Sequence, residues 1–370
     1  MKKKSVGIIT MHRPISFGSS LQAYALQKKI QDLGFDCEII DYQYPNKLHK
    51  VKVNPFKVLV HRIVHYLLNL FVGLPCLFEH IRFTRFRNNY LKLSKYYKDS
   101  ETLTKNPPEY DIYCTGSDQV WNTNFTKRDT TFVLSFVKDK KKISYSSSFA
   151  VDYVKEESIK DFQYYLSLYT KISVRERSGI SLVKDLTGRS ATMVCDPTLL
   201  LSKEEWFPLA NKANIRIQKP YLLIFMLTYS YNPYPKVNRI IDEVQQKLGI
   251  HTIILSGNKY DYLKKNTTVI KNAGPLEFLY LLKNASFVIT SSFHGVAFSA
   301  NFEKPFLAIV DKKNKDSRLL SFLETIDMSN RAISYDEENV HLDLSLPNIS
   351  ALESFRNLSA NYLNDVLLEN

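Results

Sequence analysis

The stretch Phe287-Val288-Ile289-Thr290-Ser291-Ser292-Phe293-His294-Gly295-Val296-Ala297-Phe298 changes pattern half-way along. It opens as a buried strand and passes through three small hydroxyl residues into His294-Gly295. Apolar residues then continue at helical spacing: Val296, Phe298, Ala300. A strand that turns tightly into a helix puts its turn at the carboxyl edge of a sheet, where ligands bind in open α/β folds. The helix start offers free N–H groups and a partial positive charge, so it suits an anion. A histidine there exchanges protons near neutral pH. The stretch therefore reads as an anion site with an acid or base, although a histidine at a turn equally fits a structural role.

Around it lies an alternating series. Tyr221 to Leu227 reads as a strand, Lys236 to Leu248 as a helix and Thr252 to Leu255 as a strand. Pro275 to Asn284 is a helix, Pro305 to Val310 a strand and Arg318 to Ile326 a helix. An earlier series precedes it. Ser5 to Met11 reads as a strand. The loop Pro14-Ile15-Ser16-Phe17-Gly18-Ser19-Ser20 leads into a helix that ends near Gly34, and Cys37 to Tyr42 is a second strand. This is a Rossmann-type opening, but it lacks GxGxxG and marks no dinucleotide site. Further strands cover Tyr110–Thr115, Lys142–Ser147, Ile172–Glu176 and Thr192–Leu199. The pattern turns irregular between Trp206 and Lys219. The expected architecture is α/β, with two Rossmann-like domains facing a cleft. One covers 1–205 and carries a basic amphipathic insertion at 46–98. The other covers 220–350, and a C-terminal helix follows in 351–370.

A chain of 370 residues, 44% apolar and 24% charged, is ordinary for a folded protein with two cores. Its four cysteines have no metal-ligand spacing, so no metal is expected, and they read as reduced and cytosolic. The net charge of +13 is uneven: eleven Lys or Arg and one acid lie between Asn46 and Lys98. Phe56, Leu59, Val60, Ile63, Leu67 and Leu70 share one helical face there, with Lys57, Arg62 and histidines opposite. Two readings stand: a packing helix with a solvated basic face, or a helix resting on an anionic membrane surface. No nucleic-acid motif accompanies the charge, so nucleic acid is not an expected partner.

Several stretches together resemble the polysaccharide pyruvyl transferase family. They are Phe17 to Leu26, Gly116-Ser117-Asp118-Gln119-Val120-Trp121, Ile172 to Glu176, Cys195-Asp196-Pro197-Thr198, Ser291 to Gly295, and Ser317-Arg318-Leu319, in family order. The resemblance implies a GT-B-like bacterial enzyme with no cofactor. It would move the enolpyruvyl unit of phosphoenolpyruvate onto two hydroxyls of a sugar, giving a cyclic pyruvate ketal in capsular or exopolysaccharide biosynthesis. A lipid-linked saccharide acceptor would account for the basic segment and place the protein in the cytoplasm, peripheral at the inner face of the membrane.

Under the resemblance His294 is the general acid and Asp118 the base or sugar-orienting carboxylate. Arg175, Ser291, Ser292, Gly295, Arg318, Gly18 and Ser19 bind the donor; Gln119 and Trp121 bind the acceptor. Structural roles stand beside these: Arg175 paired with an acid, Asp118 as a turn residue, Arg318 on a helix surface. Other members often carry Arg-Leu-His where this chain has Ser292-Phe293-His294, so Arg318, Lys312 or Lys313 is expected to supply the missing charge. The alternatives are a GT-B-like nucleotide-sugar glycosyltransferase and a non-catalytic sugar- or membrane-binding scaffold.

Overall fold

The computed structural model describes residues 3–44, 74–228, 231–255, 266–311, 317–338 and 342–369. Two all-parallel sheets organise them. The first contains β1 (Ser5–Ile9), β2 (Asp36–Tyr42), β3 (Leu93–Tyr97), β4 (Ile112–Thr115) and β5 (Lys141–Ser144), in the order β3-β2-β1-β4-β5. A short pair, β6 (Ser173–Val174) and β7 (Thr192–Met193), adjoins β5 through isolated bridges. The second sheet contains β8 (Tyr221–Phe225), β9 (His251–Leu255), β10 (Thr267–Ile270), β11 (Phe287–Thr290), β12 (Phe306–Val310) and β13 (Ala332–Ser334). Its order is β10-β9-β8-β11-β12-β13. Strands β8, β11 and β12 are buried along their whole length, as parallel strands covered on both faces must be.

Each sheet has one place where strand order reverses: between β1 and β4 in the first, and between β8 and β11 in the second. Ligands of open α/β sheets bind outside the carboxyl ends of the strands at such points. Gly18, Asp118 and His294 follow β1, β4 and β11: Asp118 in a turn, Gly18 and His294 at helix starts.

Aromatic contacts join the halves. Phe17 stacks on Phe278 at 4.6 Å, and Trp206 touches both Tyr24 and Phe298. The last helix, Ser350–Leu368, bridges them as well. Its Ser359 hydroxyl accepts the Cys195 N–H at 2.8 Å, and Arg356 donates to the Leu199 carbonyl and to Asn301 Oδ1.

The segment expected as a basic insertion departs from its sequence reading. Residues 46–73, with Lys57 and Arg62, lie outside the described residues. Leu74–Tyr90 is a helix that buries Phe83 and Phe86 and packs between the halves. Arg82 donates to the Asn272 carbonyl at 2.6 Å and lies 3.8 Å from Glu277, so it is a packing residue, not part of a free basic face. Leu93–Tyr97 is an edge strand of the first sheet. The strand expected over Thr192–Leu199 stops at Met193, because Asp196 accepts the Thr198 N–H and turns the chain into a short 3-10 helix.

The Arg82 contact crosses between halves, whereas Arg85 on the same helix is exposed. Arg82→Ala should lower unfolding stability by about 1.5–3 kcal/mol, the range for hydrogen bonds to charged groups. Arg85→Ala should stay within ~0.5 kcal/mol of wild type in the same urea titration. Equal effects of the two variants would contradict this packing role.

Candidate functional site

Two helix N-termini meet at the cleft. Ser16 caps the helix Phe17–Asp32 by accepting the Ser19 N–H at 3.3 Å. Ser292 caps the helix Phe293–Asn301 by accepting the Gly295 N–H, also at 3.3 Å. Gly18 and His294 are each the second residue of their helix, and they touch. A Cβ on Gly18 would lie 2.0 Å from His294 Nδ1, so only glycine allows this approach. Both helix ends present positive partial charge to the same space.

A buried carboxylate anchors the side chains around that space. Asp196 Oδ1 accepts the Thr198 N–H at 3.0 Å and the Thr198 hydroxyl at 2.8 Å. Its Oδ2 accepts the Ser117 hydroxyl at 3.0 Å and Arg175 Nη1 at 3.2 Å. His294 Nε2 lies 3.6 Å from the same Oδ2, an ionic contact beyond hydrogen-bond reach. Burial pushes the Asp196 carboxyl up, but His294 and then Arg175 outweigh it and hold the group well below the usual carboxylate range. Burial likewise opposes the Arg175 charge, yet Asp196, Glu176 and Asp118 raise the guanidinium above its ordinary value. The Arg175 guanidinium also sits over the Phe293 ring at 4.7 Å.

Glu176 Oε1 accepts the Ser148 hydroxyl and the N–H groups of Phe149 and Ala150 at 2.9–3.0 Å. Three buried atoms clustered here have no hydrogen-bond partner among the described residues: Arg175 Nε, Glu176 Oε2 and His294 Nε2. Native structures leave few such atoms without a partner, and two of these, Arg175 Nε and Glu176 Oε2, face each other at 3.9 Å. A cavity of about 450 Å³, lined by Glu176, Arg177, Leu320, Ser321 and Glu324, adjoins the cluster.

Asp118 stands in the left-handed region, with φ of 75°, which is uncommon outside glycine and clusters at functional sites. Its carbonyl accepts the Ser148 N–H, Oδ1 accepts the Gln119 N–H at 2.8 Å, and Oδ2 accepts the Ser19 hydroxyl. Gly18, Ser19, Asp118, Arg175 and His294 thus come together.

Other expected residues play different parts. Ser291 spends its hydroxyl on the backbone of Leu227, and Ser292 spends its own on the helix cap. Gly295 allows close packing, since a Cβ there would lie 2.3 Å from Thr290 Oγ1. Gln119 accepts from Asn122 at 2.9 Å. Trp121 is wholly buried, donates to the Phe132 carbonyl and packs on Phe149, so it presents no face to an acceptor. Arg318 lies one helical turn before Phe322, whose ring meets Phe293 at 5.2 Å. Lys312 and Lys313 lie outside the described residues. Asp196, read from sequence as a structural strand end within a matching motif, is the residue whose part in the site sequence reasoning missed. Its signal was the turn spelling Asp196-Pro197-Thr198 in a strand otherwise fit for burial.

A family model for polysaccharide pyruvyl transferase matches residues 17–312, which contain Gly18, Ser19, Asp118, Arg175, Asp196 and His294. The chain belongs to the polysaccharide pyruvyl transferase family. Among solved structures, this pyruvyl transferase family member is similar to UDP-N-acetylglucosamine 2-epimerase from Rickettsia bellii. The TM-score is 0.56 at 8% identity, over 100% of this chain and 96% of that one. It is also similar to UDP-GlcNAc 2-epimerase from Neisseria meningitidis, with a TM-score of 0.55 at 11% identity, over 99% and 100%. At such identity the likeness shows the fold, the GT-B arrangement of two parallel-sheet halves. No curated protein matches the chain.

Removing the Asp196 charge strands Arg175 in a buried place. Asp196→Asn should destabilise the protein by about 3–5 kcal/mol at neutral pH. The folded carboxyl titrates below its unfolded value of ~3.9, so its contribution is complete above that pH and fades as pH falls toward the folded value. The stability gap between wild type and Asp196→Asn, measured by denaturant titration, should be constant above about pH 5 and narrow below about pH 4. A gap independent of pH would remove the ionised carboxylate from this account.

Proposed function

We propose that this protein transfers the enolpyruvyl unit of phosphoenolpyruvate onto two hydroxyls of a sugar, forming a cyclic pyruvate ketal and inorganic phosphate. The observation that carries the reading is the pair Arg175 and His294 at the start of the helix Phe293–Asn301, whose Nε and Nε2 atoms make ionic contacts but no hydrogen bond among the described residues. Phosphoenolpyruvate brings a carboxylate and a phosphate, which call for cationic and N–H donors. Here the family arginine is replaced by Ser292, whose hydroxyl caps a helix. The donor anion therefore rests on Arg175 and the helix ends, with Arg318 on the neighbouring helix.

In this mechanism His294 gives its proton to the methylene carbon of the donor, and C2 becomes cationic. A sugar hydroxyl attacks C2, and Asp118 takes its proton. A second hydroxyl then attacks C2 as the C2–O bond to phosphate breaks; Asp118 passes its proton to the leaving phosphate and the neutral His294 takes the proton of the second hydroxyl, so both groups return to their starting states. The Ser19 hydroxyl and the Gln119 N–H fix the Asp118 carboxylate for this work. The acceptor in this reading is lipid-linked, and the pathway is capsular or exopolysaccharide assembly at the cytoplasmic face of the membrane. Among the described residues no helix is long and apolar enough to cross a membrane.

Incubation with phosphoenolpyruvate and a panel of lipid-linked sugars should give the mass gain of a pyruvate ketal, with matching phosphate release. His294→Gln should lose ~10²–10⁴-fold in turnover. Arg175→Lys keeps a charge but loses the guanidinium fork, so it should raise the KM for phosphoenolpyruvate more than that for the acceptor. Release of a nucleotide from a sugar donor, without use of phosphoenolpyruvate, would instead indicate a glycosyltransferase. For the membrane reading, sedimentation with acidic vesicles should fall as salt rises and fall again when Lys57, Arg62 and Arg85 are changed to Gln. Equal binding to neutral vesicles at high salt would rule out an electrostatic attachment.

A further inference from the structure

The helix that carries Gly18 and Ser19 also holds a buried polar residue that the proposed chemistry does not use. Gln22 lies in the stretch Phe17 to Leu26 and is wholly buried. Its Nε2 donates twice, to the Thr10 hydroxyl at 2.9 Å and to the Ser19 carbonyl at 3.0 Å. Its Oε1 has no hydrogen-bond partner among the described residues. The Ser19 carbonyl sets the orientation of the amide, because a half-turn would place Oε1 against it, acceptor to acceptor. Burying Oε1 without a partner is unfavourable. What the side chain supplies against that is a double donor.

Both of its bonds lead to Asp118. The Thr10 hydroxyl accepts from Gln22, so its single proton points the other way, and it donates to the Ser117 carbonyl at 2.9 Å. That carbonyl belongs to the peptide group on the amino side of Asp118. On the carboxyl side, the Asp118 carbonyl accepts the Ser148 N–H at 3.0 Å. The carboxylate is held at both oxygens, by the Gln119 N–H at 2.8 Å and by the Ser19 hydroxyl. Four bonds thus surround a residue whose φ is 75°. Outside glycine this conformation is strained and persists only where the surroundings over-determine it. Gln22 stands behind two of the four bonds, since it directs the Thr10 proton and holds the backbone of Ser19. Thr10, Ser19, Gln22 and Ser117 are all buried, which keeps bulk water from these links.

We infer that Gln22 is a positioning residue: acting through Thr10 and Ser19, it holds Asp118 in the left-handed conformation that keeps its carboxylate on the Ser19 hydroxyl. The task of that carboxylate, taking the proton of a sugar hydroxyl, rests on the proposed transferase reading. The hold on the Asp118 backbone is a separate structural claim.

Three variants test it by amide hydrogen exchange and by kinetics. Gln22→Met keeps the length of the side chain and removes the amide. Thr10→Val removes the next link, and Thr10→Ser keeps it. The N–H groups of Gln119 and Ser148 bond to Asp118 itself, so their exchange reports its conformation. Gln22→Met and Thr10→Val should each speed both amides by ~2- to 10-fold, the worth of one neutral hydrogen bond, while Thr10→Ser stays near wild type. The Val288 N–H, bonded to the Pro305 carbonyl in the second sheet, should not change. In ketal formation from phosphoenolpyruvate, Gln22→Met should lower kcat about 10- to 100-fold, as a misplaced catalytic group does, and leave the KM for phosphoenolpyruvate unchanged. In an Asp118→Asn background the same change should cost little further turnover, because groups that act as a unit are not additive.

Unchanged exchange of Gln119 and Ser148 in both Gln22→Met and Thr10→Val would overturn the assignment. So would turnover losses that simply add to those of Asp118→Asn, the pattern of a glutamine that only supports the core. Should Gln22→Met fail to fold, Thr10→Val against Thr10→Ser decides the question by the same readouts. If exchange responds as expected while no protein consumes phosphoenolpyruvate, the hold on Asp118 stands and the transferase reading falls.

Discussion

One buried carboxylate sets the geometry of the cleft. Asp196 comes from the first half of the chain, and its oxygens are shared among Thr198, Ser117, Arg175 and, at ionic distance, His294 from the second half. An ionised group this deep survives only because the surrounding donors and cations offset its desolvation. The donors from Ser117 and Thr198 are local and fix its orientation. The cations are what it positions. Arg175 is held with its face on Phe293, and neither its Nε nor His294 Nε2 makes a hydrogen bond among the described residues. The same carboxylate thus ties His294 of the second half to Arg175 of the first.

The charge balance explains why helix ends matter here. Asp118, Glu176 and Asp196 outnumber Arg175 and His294 among the side chains of the cluster. Any anion entering them would meet repulsion without the two helix N-termini that converge at Gly18 and His294. Glycine at position 18 is what permits the convergence. The serine at position 292 strengthens one of those ends by capping it, where relatives often place an arginine. Positive charge at this site is thereby carried partly by backbone.

Much of the fold was legible because parallel strands buried on both faces spell continuous apolar runs, as in Phe287–Thr290 and Phe306–Val310. The edge strands Leu93–Tyr97 and Thr267–Ile270 escaped notice because each keeps exposed or half-exposed positions and neither makes such a run. Gly18, Asp118, Arg175 and His294 could be picked from motifs, since each sits at a strand end or helix start. Asp196 could not be given a role, because its work depends on His294, far along the chain. Trp121 misled for a related reason: next to a functional turn, an indole fits a sugar platform as well as a core, and tertiary packing decides between them. Arg82 read as part of a basic surface until its partners, Asn272 and Glu277, came from the other half.

The central claim is that the anionic donor is held jointly by Arg175 and His294 between the two helix ends. A crystal structure of the protein with phosphoenolpyruvate, or an unreactive analogue, tests it most directly. The account predicts donor oxygens within hydrogen-bond distance of Arg175 Nε and the N-terminal amides near Gly18 or His294, with His294 Nε2 facing the methylene carbon. A donor bound away from Arg175, or with His294 turned from that carbon, would contradict it.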